Sequence, residues 1–201
     1  MKLFNFNKSK PQEQGLAPAE LYMQHLYKVF QRDPLLFKID SKKEDVPGVT
    51  AIAYPDVPQK GFTTGLTYGL SIGVHPDWKY GKPELCITVK SENMAWPHAA
   101  AFIACQLRGY HPFGYGQTIN FRESIGPDSD MDAFFIYTPG ILGKADYLGI
   151  DIGTGFKINI AGLYPMYSSE LELYNEIGLD RFWHHPDFDL YNVNRKRIIT
   201  S

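Results

Sequence analysis

Residues 62–74 read FTTGLTYGLSIGV, a run dense in threonine, tyrosine, leucine and isoleucine that favours extended structure. A second run, ELCITV at residues 84–89, follows the turn Lys79-Tyr80-Gly81-Lys82. We predict a long strand over 62–74 and another over 84–89. Gly65, Gly69 and Gly73 recur at every fourth position without the Lys-Ser/Thr pair of a phosphate loop. These glycines therefore indicate bulges or close backbone approach.

Helical and extended patterns alternate along the rest of the chain. Helices are predicted over 17–32, 94–107 and 168–177, the last with Gly178 as its C-cap. Strands are predicted over 35–39, 49–54, 132–137 and 156–163, and Tyr164-Pro165 is expected to end the last of them. No repeat or linker marks a boundary. We therefore predict a flexible N-terminal arm over 1–15 and one domain over 16–201.

The composition is that of a globular chain with many aromatic residues. Of 201 residues, 44% are hydrophobic and 21% charged, and the formal net charge is -2. This balance argues against a dedicated nucleic-acid binder, which would carry a basic surplus. The only dense basic run, residues 194–197, is expected to be a solvated tail or the end of an element. The 13 tyrosines and 13 phenylalanines suit a binding surface as well as a core.

Two cysteines, Cys86 and Cys105, lie in apolar stretches and are interpreted as buried, reduced thiols, although a disulfide between them stays open. The N-terminus lacks the apolar core of a signal peptide, and no apolar run is long enough to span a bilayer. The sequence therefore predicts a cytoplasmic protein without a membrane partner.

Several motifs together resemble the suppressor of fused family. The segments that carry the resemblance are residues 64–71 with Glu84-Leu85, Trp96-Pro97 opening a helix, Phe134–Tyr137 before Thr138-Pro139-Gly140, Ile158–Pro165 followed by Glu170-Leu171, and a closing Asp189, Arg195 and Ile198. Their order and spacing cover roughly Leu35 to Ile198. The resemblance implies an α+β fold in which a mixed, mostly antiparallel β-sheet is flanked by helices.

The resemblance also implies a binding role. Animal members of the family bind zinc-finger transcription factors by clamping an added strand between two domains. This chain has the length of the first domain only, so that partner is not carried over. Single-domain bacterial members are thought to include immunity proteins that neutralise polymorphic toxins, and the chain fits that class by size.

Candidate metal and catalytic sites are weak in this sequence. Asp128, Asp130 and Asp132 alternate as in a calcium loop, but no glycine follows and Pro139 stands where a bidentate glutamate is needed. The adjacent His184 and His185 are poorly spaced to share one ion. No nucleophile elbow or dinucleotide fingerprint occurs. We therefore predict no metal, no cofactor and no catalytic residues.

The predicted function is protein binding without catalysis, with a toxin domain as the candidate partner. The candidate partner-binding residues are Tyr68, Trp78, Tyr80, Glu84, Phe113 and Tyr115, which combine aromatic anchors in turns and loops with one carboxylate. Hydrogen bonding inside the fold is the structural alternative for Glu84. Two other functions stay open: an enzyme that uses a cleft near Glu84, His98 or His184, and an adaptor for a partner that is not a toxin. The sequence leaves the oligomeric state undetermined.

Overall fold

An eight-stranded β-sheet with helices against both faces organises residues 15–199, the part of the chain described in the computed structural model. The predicted arm over 1–15 lies, apart from Gly15, outside these residues. The strands are β1 Leu35–Ile39, β2 Val49–Pro55, β3 Thr63–Tyr68, β4 Lys82–Val89, β5 Thr118–Asn120, β6 Ala133–Tyr137, β7 Ile150–Asp151 and β8 Lys157–Met166. The helices are α1 Pro18–Phe30, α2 Ala95–Leu107, α3 Lys144–Tyr147 and α4 Leu171–Trp183.

The strand order is β1-β2-β3-β4-β8-β6-β5, with β7 also paired to β8. Among the strands of residues 15–199, only β4 and β8 run parallel to each other, and the other pairings are antiparallel. The parallel pair lies at the centre of the order, and β1 and β5 form its two ends. The predicted α+β fold with a mixed, mostly antiparallel sheet is thereby confirmed.

Alternation along the strands divides the core between the two faces of the sheet. Leu85 and Ile87 of β4 pack with α2 on one face. Leu66 and Cys86 pack with α1 on the opposite face. Beside α1, α4 covers β6 and β8 through an aromatic cluster around Phe135.

Gly65 marks the close approach of β3 to α2, as its spacing predicted. A Cβ built on Gly65 would lie 2.8 Å from both Cα and Cβ of Pro97, in the first turn of α2. Backbone and ring atoms at this distance cannot move aside cheaply. The glycine therefore lets the helix lie directly on the strand.

We expect Gly65→Ala to lower the free energy of unfolding by about 1–3 kcal/mol, because the added methyl group forces α2 away from β3. Urea denaturation measures the change. Gly155→Ala is the matched control, since a Cβ there meets nothing within 4 Å and the backbone has no positive φ. Equal stability of the two variants would contradict a packing role for Gly65.

The predicted long strand over 62–74 is wrong in its second half. β3 ends at Tyr68, Gly69 adopts a φ of 129°, and Leu70–Ile72 form a turn of 3₁₀-helix. The largely apolar composition of these residues favoured a strand and gave no indication of the turn. What bends the backbone here is a carboxylate from the neighbouring strand, described below.

The predicted end of one strand is also wrong. β8 continues through Tyr164-Pro165 to Met166, where it pairs with β6 alone; its pairing with β4 ends at Leu163. Beyond Leu163, β8 forms backbone hydrogen bonds to a neighbouring strand on one side only. Pro165, which has no N–H to donate, is therefore tolerated there. The predicted break at Gly178 is present: its φ of 79° and ψ of 167° are not helical, and α4 resumes after it and runs to Trp183. The short elements β5, α3 and β7 were not predicted.

The basic run at 194–197 is not a wholly solvated tail, because Arg195 is buried. Its guanidinium donates to both carboxylate oxygens of Glu170, at 2.6 and 2.7 Å, and both side chains are almost fully excluded from solvent. Glu170 also accepts from the backbone N–H of Ile198 and of Tyr167, at 2.7 and 3.1 Å. This pair fastens the C-terminal segment to the start of α4.

Candidate functional site

Four of the six predicted partner-binding residues line one cavity of about 350 Å³. Trp78 and Tyr80 come from the connection between β3 and β4, whereas Phe113 and Tyr115 come from the loop after α2. The cavity opens where the parallel strands β4 and β8 begin. We call it the aromatic cleft; its remaining lining residues are Asp77, Gly81, Pro83, Pro112, Gly114, Leu148, Asn159, Ile160 and Ala161.

Hydrogen bonds to the backbone hold the first wall of the aromatic cleft. The indole Nε1 of Trp78 donates to the carbonyl of Pro112 at 2.8 Å, which joins the two loops. Asn159 of β8 donates to the carbonyl of Tyr80 at 3.2 Å. Nζ of Lys82 donates to the carbonyl of Gly73 at 2.8 Å and lies 4.2 Å from the centre of the Phe156 ring. The loop that carries Trp78 and Tyr80 is thus fixed at several points.

The second wall depends on His111. Its Nδ1 accepts from the backbone N–H of Phe113 at 3.0 Å, and the two rings stack edge to face at 4.8 Å. Burial lowers the pKa of His111, which favours the neutral ring that this hydrogen bond requires. Gly114 donates to the side chain of Gln117 at 2.7 Å. Phe113 is buried in the wall, whereas the Tyr115 side chain is 49% exposed.

Glu84 forms its hydrogen bonds inside the fold, which is the structural alternative given for it in the sequence analysis. It is fully buried and accepts from Thr67 Oγ1 at 2.6 Å, Gly69 N at 2.8 Å, Ser71 N at 3.0 Å and Ser71 Oγ at 2.7 Å, with a longer contact of 3.3 Å from Leu70 N. Burial raises the pKa of Glu84, and these hydrogen bonds oppose that shift.

The carboxylate of Glu84 gathers three successive N–H groups and so bends the chain after β3. Arg108 secures the same turn from α2 by donating to the carbonyl of Gly69 at 2.8 Å and of Pro47 at 2.6 Å. The turn leads directly into the loop that carries Trp78 and Tyr80. Glu84, fully buried, therefore fixes the turn from which that loop departs.

Tyr68 lies apart from the aromatic cleft. Its half-buried ring stacks on Tyr22 of α1 at 5.4 Å, on the face of the sheet that α1 covers. The three residues of the proposed catalytic cleft are also dispersed. His98 sits on α2 with Nδ1 2.7 Å from the Met94 carbonyl, and His184 is exposed at the end of α4. Together with buried Glu84, they occupy three separate environments.

The acidic residues of the calcium-like run serve the fold. Asp128 accepts from Ser91 Oγ at 2.5 Å, and Asp132 accepts from both N and Oγ of Ser168 at 2.6 Å. Within residues 15–199, no three side chains of the metal-ligating types come together. Both cysteines are buried, free thiols. In the same range, no helix has the length and apolar composition to cross a membrane.

Sequence reasoning missed the residues that complete the aromatic cleft. Pro112 and Asn159 bind the two loops to each other and to β8, but neither belongs to an aromatic cluster in the sequence. A Gly/aromatic loop such as His111–Gly116 was the available signal. Its partner strand, more than forty residues later in the chain, could be identified only from the sheet order.

Comparison with known proteins agrees with this architecture. The family model described as Suppressor of fused protein (SUFU) matches residues 45–196. No curated protein matches the chain. Among solved structures, a SUFU homologue from Neisseria gonorrhoeae has a TM-score of 0.68 at 16% identity, and the match covers 90% of this chain and 97% of that one.

Two further solved structures share the fold at 13% identity and a TM-score of 0.61. A chain of the Sufu–Fu complex is covered to 91% by a match that includes 90% of this chain. Drosophila Suppressor of Fused is covered to 50% by a match that includes 89% of this chain. At these identities the structural likeness establishes the fold, and the family assignment rests on the sequence model, which spans most of the chain. This chain belongs to the suppressor of fused family.

Proposed function

We propose that this protein is a non-enzymatic recognition domain that binds a segment of another protein in the aromatic cleft. The observation that carries the proposal is the convergence of four aromatic side chains from two distant loops on one cavity. Tyr80 is 93% exposed and Tyr115 49%, so the mouth of the cleft offers aromatic surface to a partner. Such side chains supply large contact area at little conformational cost.

The rigidity of the cleft supports binding. Both walls are fixed by hydrogen bonds that Trp78, Lys82 and Asn159 donate and that His111 accepts, so little ordering is required when a partner arrives. Exposed Asp77 at the rim adds one negative charge that favours a basic group on the partner. A related protein is known in the Sufu–Fu complex, which is consistent with a protein as partner.

The partner class that we propose is a toxin domain, which would make this chain a cytoplasmic immunity protein. The slightly negative net charge suits a basic toxin. Affinity capture from the native cell extract, followed by expression of the captured partner, tests it. The partner should arrest growth, and co-expression of the wild-type chain should restore it; a harmless partner would indicate an adaptor.

Trp78→Ala and Tyr80→Ala are each expected to weaken partner binding about 30-fold, which corresponds to about 2 kcal/mol for a hot-spot residue. Titration calorimetry with the captured partner measures the effect. Tyr110→Ala is the matched control, because Tyr110 is 70% exposed but is not among the residues that line the cleft. If the cleft variants bind as tightly as the control, recognition takes place on another surface.

A further inference from the structure

A second apolar groove runs along the solvent side of α1, away from the aromatic cleft. Its volume is about 620 Å³. Leu16, two residues before the helix, lines the groove, and six further lining residues lie on one side of α1: Ala19, Glu20, Met23, Gln24, Tyr27 and Lys28. Asp33, Pro34 and Tyr54 form the opposite wall. An amphipathic helix normally turns such a stripe towards the core.

The core-facing side of α1 is a different one. Tyr22 and Leu26 are the residues of α1 that are buried against the sheet. Leu16 and Tyr27, by contrast, are 49% and 51% exposed in the groove. α1 therefore presents a second side, on which Leu16 and Tyr27 stay half exposed and Met23 is shared with the core, with no further cover among residues 15–199. This side is open to contact with another protein surface.

The charges on the stripe indicate which partner fits. Glu20 lies in the first turn of α1 and Lys28 in the last, both exposed, and neither forms an ion pair within the described residues. Two copies of α1 packed antiparallel about Gln24 place Glu20 of each copy opposite Lys28 of the other. The same arrangement buries Met23 and Tyr27 between the helices. The stripe is complementary to itself.

We propose that two copies of this chain associate through antiparallel packing of their α1 helices, with Glu20 of each copy facing Lys28 of the other. A helix of 13 residues is only about 20 Å long, so the contact is small. We expect a dissociation constant on the order of micromolar, in keeping with an interface at the low end of the size range. The groove and the aromatic cleft share no lining residue, so the proposed contact uses none of the residues of the cleft.

Charge exchange tests the register. Glu20→Lys gives each copy two lysines along the seam and Lys28→Glu gives two glutamates, so each variant alone should sediment as a monomer at concentrations at which the wild-type chain is a dimer. An equimolar mixture of the two variants restores both opposite-charge contacts and should dimerise. Analytical ultracentrifugation measures all three samples.

The mixture also controls for a local effect, because Glu20 accepts a hydrogen bond from the backbone N–H of Ala17 at 2.7 Å. A variant damaged only by the loss of this cap would not be rescued by mixing. Three outcomes would overturn the proposal: a wild-type chain that stays monomeric, single variants that dimerise as the wild type does, and a mixture that stays monomeric.

Discussion

Arg195→Met is expected to lower the free energy of unfolding by about 3–5 kcal/mol, because it leaves the Glu170 carboxylate buried without its counter-ion. The guanidinium forms bidentate hydrogen bonds with the carboxylate of Glu170 and lies 5.1 Å from the centre of the Phe188 ring. Methionine fills part of the space but donates no hydrogen bond. Urea denaturation monitored by fluorescence measures the loss as a lower midpoint with an unchanged slope.

Lys196→Met is the control for the same experiment. Lys196 is exposed and adjacent in sequence, so its replacement should change stability by no more than about 0.5 kcal/mol. Adding Glu170→Gln to Arg195→Met should recover part of the loss, since the buried charge is then removed as well. If the double variant is as unstable as the sum of the single variants, the two residues do not interact as the structure indicates.

Glu84→Gln is the second large expected effect, with a loss of about 2–3 kcal/mol of unfolding free energy. Both carboxylate oxygens accept from backbone N–H groups, so an amide nitrogen at either position meets a donor and leaves it unsatisfied. The variant should also bind the captured partner more weakly, because the turn it loosens leads into the loop of Trp78 and Tyr80. Denaturation and calorimetry on one preparation measure both effects.

Glu92→Gln is the matched control, because Glu92 is exposed shortly after β4. It should leave both stability and partner affinity unchanged. A Glu84→Gln chain that is destabilised but binds normally would separate the two roles and show that the aromatic cleft is positioned without the turn. Unchanged stability would contradict the burial of Glu84 itself.

Long, strongly patterned elements could be predicted from the sequence. Helices α1 and α2 and strand β1 lie where apolar periodicity or β-branched composition placed them, within about two residues. The turn after β3 could not be predicted, because Glu84 is brought to Gly69 only by the pairing of two strands. Local composition in Leu70–Ile72 favoured extended structure, and a tertiary hydrogen-bond network prevailed over it.

The candidate site was predicted only in part, because tertiary contacts that position its residues are not visible in local sequence. Aromatic composition in turns led to Trp78, Tyr80 and Tyr115 as candidates, whereas the periodicity of a strand cannot tell whether a carboxylate such as Glu84 points outward or into the core. The basic run at 194–197 was misinterpreted because charge alone favours solvent. Arg195 is buried because the carboxylate of Glu170, 25 residues earlier in the chain, is a buried counter-ion for its guanidinium.

The parallel pairing at the centre of the sheet sets an order of events during synthesis. The end of β4 at Val89 and the start of β8 at Lys157 are separated by the 67 residues 90–156. Until β8 emerges from the ribosome, β4 presents the unpaired edge of a partial sheet, and its side chains Leu85, Cys86, Ile87 and Val89 lack their final cover. Unprotected edges of this kind recruit other strands. The nascent chain therefore passes through a stage at which association with a chaperone protects it from aggregation.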